Sequence, residues 1–270
     1  MRRNDPLRRL EQRDLVVRGA RVRAHVLSVL RPDVAESPDL ITFVLVHGIG
    51  VSSRYFVPLA EELAKHGQVV IFDLPGFGGL PHPRDTFSIA DFAAVVAVSL
   101  EELGIVTPVL IGHSMGAQVV VEVLVASPHL AAAAMLLGPV VNAKDRTLRR
   151  LARRFLQSSR HERPQSAALS VGAYFLAGLW WTRTLLPRMV SYPMEDRIGG
   201  VEADLVLMSG TFDATSPRAW LEVLAEAATS AGRVEVVTVE GAAHQLVVDH
   251  ASEVALAALE LAGLGTGTAV

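Results

Sequence analysis

The chain of 270 residues contains no cysteine. That absence removes disulfides, thiolate metal ligands and a cysteine nucleophile together. Aromatic residues are scarce, with 9 Phe, 3 Tyr and 3 Trp, so a core has to be built largely from aliphatic side chains. Neither sign of charge dominates. The 25 Lys and Arg stand against 28 Asp and Glu, a formal net charge of −3, which gives no global attraction for nucleic acid. Met1 to Asp14 is polar and of mixed charge, without the apolar run of a secretory signal, so a cytoplasmic protein is expected. What the chain has in quantity is apolar residues, 50% of the total. That is enough to offset ordering entropy, and it excludes intrinsic disorder. The length suits one α/β domain with an insertion.

Hydrophobic runs alternate with helical patterns along most of the chain. Asp14 to Val29 alternates apolar and basic residues around Gly19 and predicts a half-buried strand pair at a sheet edge. Ile41 to Val46 is a continuous β-branched run, as expected of a strand covered on both faces. Gln68–Phe72, Pro108–Ile111, Ala131–Leu137, Asp204–Met208 and Arg233–Val239 are further runs of this kind. Between them fall predicted helices at Tyr55–His66, Ser88–Leu103, Met115–Ala126, Pro217–Ser230 and Ser252–Ala262. Such alternation predicts an α/β fold, a mostly parallel sheet with helices on both faces.

One stretch breaks the rhythm. Between Pro139 and Gly199 the sequence looks helical and holds no good strand, which predicts a helical insertion over residues 140–198. The flanking segments 1–139 and 199–270 then form the core. Lys144 to Arg163 carries eight basic against two acidic residues, and Arg149, Arg150, Arg153 and Arg154 share one side of a helical wheel. Pro164 to Thr182 has 19 residues without a charge, among them Tyr174, Phe175, Trp180 and Trp181.

The strongest local signal is Gly112-His113-Ser114-Met115-Gly116, directly after a predicted strand and directly before a predicted helix. A G-x-S-x-G turn in that context is a nucleophile elbow. The backbone is crowded two residues either side of the serine, so only glycine fits there. The hydroxyl stands at the positive end of the following helix, where developing negative charge is favoured. His47-Gly48-Ile49-Gly50 follows the strand Ile41–Val46, where a second oxyanion donor is needed. The N–H groups of Ile49 and Met115 are the candidates for an oxyanion hole.

A serine nucleophile needs a base, and the base needs an orienting carboxylate. Asp213 lies in the loop after Asp204–Met208, and His244 in the loop after Arg233–Val239. The order Ser114, Asp213, His244 is the order that a nucleophile elbow of this kind uses. Rival acids Asp204 and Asp196 precede their strand and sit at its wrong end. Of the rival bases, His250 lies a helical turn or more beyond the strand end. His113 is expected to face away from the serine. Ser216 is read as the cap of the helix at Pro217, and His25, His66, His82, His129 and His161 as surface or loop residues. No His, Asp and Glu set has metal-ligand spacing, so neither a metal nor a cofactor is expected.

These stretches, with Val44–Gly50, Phe72–Gly78 (D-x-P-G-x-G), Gly210–Asp213 and Gly241–His244, give a sequence that resembles the α/β-hydrolase superfamily over essentially its whole length. The resemblance implies an eight-stranded sheet, a Ser-His-Asp triad and a helical cap inserted after the sixth strand. Ala117 departs from a glycine often found there, which bears on subfamily. Serine at the elbow speaks against relatives that use aspartate, the epoxide hydrolases and haloalkane dehalogenases.

The expected chemistry is hydrolysis of a small, apolar carboxylic ester through an acyl-enzyme on Ser114. The same triad also serves carbon–carbon bond hydrolases, cofactor-free perhydrolases and acyltransferases, and a non-catalytic ligand-binding member would keep the scaffold. Tyr174, Phe175, Trp180 and Trp181 are candidates for an apolar substrate pocket, against the plainer role of packing the insertion on the sheet. The basic helix is a solvated face in the first instance, with peripheral contact to anionic lipid as the alternative.

Overall fold

The computed structural model describes residues 10–31, 34, 40–162 and 179–264. Tyr174 and Phe175 lie outside the described residues. Eight strands form one sheet in the order β1-β2-β4-β3-β5-β6-β7-β8. They are β1 (Glu11–Val17), β2 (Ala20–Leu27), β3 (Thr42–Val46), β4 (Gln68–Asp73), β5 (Val109–His113), β6 (Ala133–Leu137), β7 (Asp204–Gly210) and β8 (Val234–Val239). β1 and β2 form a hairpin whose two turn residues, Arg18 and Gly19, both have positive φ, 51° and 77°. β2 meets β4 antiparallel, and every pair from β4 through β8 is parallel.

The period of two in each strand divides the core. Val44, Val46, Leu110, Ala134, Leu136, Leu205 and Leu207 face one side of the sheet. Phe43, Leu45, Ile111, Met135, Leu137, Val206 and Met208 face the other. The first side packs on α2 (Ile89–Glu102), α3 (Met115–Ala126) and α7 (Arg218–Ala227). The second packs on α1 (Val57–Leu63) and α9 (Ala251–Leu261). Because both faces are covered, the parallel strands read as unbroken apolar runs in the sequence.

Helix α2 carries the signals expected of it: Ser88 and Asp91 form a reciprocal capping box, and the chain turns at Gly104 with φ +67°. Other boundaries shift for local reasons. The stretch predicted as one helix from Tyr55 begins as a 3₁₀ turn, Ser53–Phe56, and becomes α1 only at Val57. Pro58 there has no N–H to donate, so it suits a helix start and not an interior. The last predicted helix is found as α9, and a short helix that was not predicted, α8 (Leu246–Asp249), precedes it with His250 at the junction. Ser216 is not a cap: Pro217 occupies that position and the Ser216 hydroxyl is buried without a partner.

Between β6 and β7 the described residues hold helices and no strand. They are α4 (Leu148–Ser159), α5 (Leu179–Ser191) and α6 (Met194–Arg197), with 3₁₀ turns at Ala143–Asp145 and Ile198–Gly200. Polar anchors tie this segment to α3. The buried Gln118 amide donates to the carbonyls of Val140 and Met189, and Glu122 accepts from Arg197 and from the Tyr192 hydroxyl. The six parallel strands, β3 to β8, all end on the same edge of the sheet. The loops that follow them converge there.

Candidate active site

Ser114 stands between β5 and α3 with φ 58° and ψ −120°, a conformation that costs a non-glycine residue about 1–3 kcal/mol. Its neighbours explain how the turn is held. A Cβ on Gly112 would lie 2.4 Å from the Gly116 carbonyl oxygen, and one on Gly116 would lie 2.0 Å from that of Val46. The Ser114 N–H donates to Leu137 O at 2.9 Å. A Cβ on Gly48 would come within 2.9 Å of Ser114 Cβ, so the loop after β3 passes directly over the serine.

The loops after β7 and β8 bring Asp213 and His244 together. His244 Nδ1 lies 2.8 Å from Asp213 Oδ2, and both side chains are buried. The other carboxylate oxygen, Oδ1, accepts from Thr215 N–H at 2.9 Å, the Thr215 hydroxyl at 2.6 Å and Ser216 N–H at 3.2 Å. Ser158, on α4, donates its hydroxyl toward the same oxygen at 3.4 Å. Burial pushes the Asp213 carboxyl up, but the charge of His244 and the bonds from His244 and Thr215 outweigh it and hold it at about 2. Burial likewise pulls His244 down, and the Asp213 charge and hydrogen bond overcome it, leaving the imidazole above its ordinary value. The close approach of β7 and the histidine loop requires Gly210, where a Cβ would meet Ala242 O at 2.2 Å.

Ser114, His244, Ile49, Gly48 and Thr215 line one cavity of about 450 Å³. Its remaining wall comes largely from the segment between β6 and β7, through Leu148, Leu151, Phe155, Thr182, Leu186 and Met189. Met115, whose N–H opens α3 next to the serine, is buried beneath it. The three residues singled out as a triad are thus brought to one place. Among the described residues no group of three or more His, Asp and Glu is placed to hold a metal.

The two described aromatic candidates, Trp180 and Trp181, are placed elsewhere. Trp180 is 68% exposed, and Trp181 is buried against the Gly76 turn and stacked on His82 with ring centroids 5.0 Å apart. Neither lines the cavity. Of the rivals, Asp204 stays at the opposite end of β7, and His250 pairs with Glu253 at 3.1 Å. His113 is buried beside the cavity, which it helps to line, with its ring centroid 4.9 Å from that of His244. His25 is not a surface residue but is buried on β2, 2.7 Å from Asp73, where it ties that strand to β4.

Sequence reasoning missed Tyr55, Thr215, Ser158 and Gln118. Only Thr215 had a local signal, since an aspartate commonly accepts from the backbone two residues on. The others act across long sequence separations.

The model of the alpha/beta hydrolase family matches residues 43–258. A pimeloyl-[acyl-carrier protein] methyl ester esterase of Pseudoalteromonas atlantica is 39% identical over 90 residues, 32% of this chain and 32% of that protein. The chain spans about a third of the length of the curated relatives it matches. Solved structures are similar over nearly the whole chain. The enol-lactonase from Burkholderia xenovorans LB400 superposes with a TM-score of 0.77 at 17% identity, over 93% of this chain and 100% of that one. A thermophilic esterase from Thermogutta terrifontis gives 0.76 at 19% identity, over 95% and 100%. At these identities the likeness is one of fold.

Proposed function

We propose, from the premise that this chain belongs to the alpha/beta hydrolase family, that it is a serine hydrolase acting on a small, apolar carboxylic ester. His244, oriented and charge-stabilised by Asp213, takes the proton of the Ser114 hydroxyl as that oxygen attacks the ester carbonyl. The N–H groups of Ile49 and Met115 receive the oxyanion, a donor pair in which each member is worth roughly 3–4 kcal/mol in the transition state. His244 then passes its proton to the departing alkoxide. Water, deprotonated by the same imidazole, releases the acyl group from Ser114.

One observation carries this reading: Ser114, in its strained turn, and the Asp213-bound His244 face the same largely apolar cavity. The apolar lining supports an apolar substrate body. Residues 140–198 serve as a cap over the core formed by 1–139 and 199–270, and α4 and α5 are its working parts. The cationic side of α4 is read as a solvated and structural face. Arg154 pairs with Asp145 at 3.0 Å and Arg150 donates to Lys144 O at 2.6 Å, so two of its four arginines have intramolecular roles. Among the described residues no helix is long and apolar enough to cross a membrane.

The test is p-nitrophenyl ester turnover together with labelling by a fluorophosphonate. Wild type hydrolyses the ester and is labelled at Ser114; Ser114→Ala does neither, with an unchanged circular dichroism spectrum. Retention of more than a few per cent of the rate in Ser114→Ala overturns the assignment.

A further inference from the structure

The end of α4 reaches past the cavity wall to the two loops that carry the proposed acid and base. Phe155 lines the cavity and stands nearly perpendicular to the His244 imidazole, with centroids 6.2 Å apart. A serine in a helix ordinarily bonds the carbonyl one turn back, as Ser159 does with Phe155 O at 2.9 Å. Ser158, which has no exposed surface, divides its hydroxyl differently. The oxygen accepts from Ala214 N–H at 2.9 Å, and its one hydrogen is shared between Arg154 O at 3.2 Å and Asp213 Oδ1 at 3.4 Å. Glu162, just beyond the helix, is half-buried, and its carboxylate accepts from the backbone N–H of Gln245. It shares a recess with Ala243 and Gln245, the residues on either side of His244.

Each anchor therefore falls on the residue that follows a proposed member of the triad, Ala214 after Asp213 and Gln245 after His244. A misplacement of 1 Å at a reacting centre can cost about 10²-fold in rate, so what holds these two backbones bears on catalysis. Charge acts along the same path. His244 is faced by Asp213 from the loop after β7, by His113 from the end of β5 and by Glu162 from beyond α4. Burial pulls the imidazole down, the Asp213 charge and hydrogen bond pull it up, and the Glu162 charge adds to the rise. Burial pushes the Glu162 carboxyl up, His244 pulls it down, and Asp213 and Asp249 push it up; His161 and His250 also line its recess.

We propose that Ser158 and Glu162 are positioning residues for the hydrolysis: from the end of α4 they hold the residues that follow Asp213 and His244, so that the seating of α4 fixes the register of acid and base. This rests on the ester-hydrolase reading above. It makes the wall of the substrate cavity and the brace of the triad one element, with Phe155 on the first task and Ser158 on the second.

The experiment measures kcat, KM and the pH profile of kcat/KM on p-nitrophenyl butyrate for wild type, Ser158→Ala, Glu162→Ala and Glu162→Gln, with circular dichroism as the check on folding. Ser158→Ala leaves Ala214 N–H without its acceptor and is expected to lower kcat about tenfold, with KM within about twofold of wild type. Glu162→Ala is expected to do the same through Gln245 N–H. Glu162→Gln keeps an acceptor there and removes the charge. Its loss of kcat should be smaller than that of Glu162→Ala, while the limb of the pH profile moves to lower pH, which a merely structural role would not cause. Glu162 lies near the surface, so its variants decide the question even if Ser158→Ala does not fold. An unchanged kcat in Ser158→Ala, a loss confined to KM, or a limb that stays in place in Glu162→Gln overturns the proposal. Absence of both ester turnover and fluorophosphonate labelling in wild type overturns the hydrolase reading itself, a separate result.

Discussion

His113 Nε2 lies 2.8 Å from the carbonyl oxygen of His244, so the residue beside the proposed nucleophile grips the backbone of the proposed base. A carbonyl only accepts, so Nε2 carries the hydrogen. Nδ1 is then free to accept from the Tyr55 hydroxyl at 3.0 Å, whose oxygen in turn faces Gly48 N–H at 3.4 Å. One neutral imidazole thereby links the loop after β3, which carries the proposed oxyanion donor, to the loop after β8.

Replacing His113 by Phe keeps a ring and removes both bonds. The His244 carbonyl and the Tyr55 hydroxyl then lose buried partners, at roughly 1–3 kcal/mol each. The expected outcome is a ten- to hundredfold fall in kcat with KM changed much less, since the substrate wall stays while the base loses its register. Steady-state kinetics on a p-nitrophenyl ester decides it; a change confined to KM would place His113 in substrate contact alone.

The same imidazole makes stability depend on acid. Burial, aided by the charge of His244, lowers His113 to about 3, and burial lowers His47 as well. Both have folded values below the unfolded 6.5, so the unfolded chain binds more protons as pH drops. The His113 contribution is fully present above pH 6.5 and is lost as pH falls toward about 3, at about 1.4 kcal/mol per unit of separation, and His47 adds a loss of the same sign. Asp213 follows in a lower window, from 3.8 down to about 2. Urea midpoints recorded from pH 7 to pH 4 should fall steadily in wild type and less steeply in His113→Phe. Parallel slopes for the two proteins would contradict a buried neutral His113.

Catalysis titrates with the opposite sign. Burial depresses His244, but the Asp213 charge more than compensates, so the imidazole gains its proton at a pH above 6.5. As a base it works only when neutral. The kcat/KM profile should therefore climb with pH through a limb centred above 6.5. Asp213→Asn removes the compensating charge, and two effects follow: the limb moves to lower pH, and kcat drops on the order of 10³- to 10⁴-fold because the imidazole loses its tautomer and orientation. A limb that stays in place in Asp213→Asn would assign it to another group.

The strands of the parallel sheet were legible because burial on both faces leaves runs such as Thr42–Val46 without a polar break. Once the strands were placed, parallel topology dictated that Ser114, Asp213 and His244 share an edge. Glycines 112 and 116 were legible as close approaches from the elbow motif, although only the Gly112 contact is local to the turn; Gly116 meets Val46, and Gly210, which meets Ala242, carried no such signal. What stayed hidden is whatever depends on partners far apart in sequence. His25 looks like any edge-strand histidine until Asp73 is set beside it, 48 residues on.

Trp180 and Trp181 are adjacent in the chain and opposite in consequence. Trp181 is fully enclosed, stacked on His82, with its Nε1 within 2.3 Å of where a Cβ on Gly76 would stand. Trp181→Ala should cost 3–5 kcal/mol, the range for a buried aromatic truncated to a cavity. Trp180→Ala, at a site two-thirds exposed, should stay within about 0.5 kcal/mol. Chemical denaturation of the two variants side by side tests whether the described packing of α5 holds, and equal losses would refute it.

The final prediction concerns what the elbow costs the fold. Ser114 holds φ 58° and ψ −120° between two glycines that cannot bear a side chain, so the strain belongs to its Cβ and not to its hydroxyl. Ser114→Ala keeps the Cβ and should leave stability near that of wild type. Ser114→Gly removes it and should unfold at a higher urea concentration, by about 1 kcal/mol after the larger entropy of the unfolded glycine chain is subtracted. Both variants lack the nucleophile, so activity does not distinguish them and stability does. If Gly and Ala at this position prove equally stable, or Gly less so, the turn is relaxed, and the hydroxyl is not held in place by backbone strain.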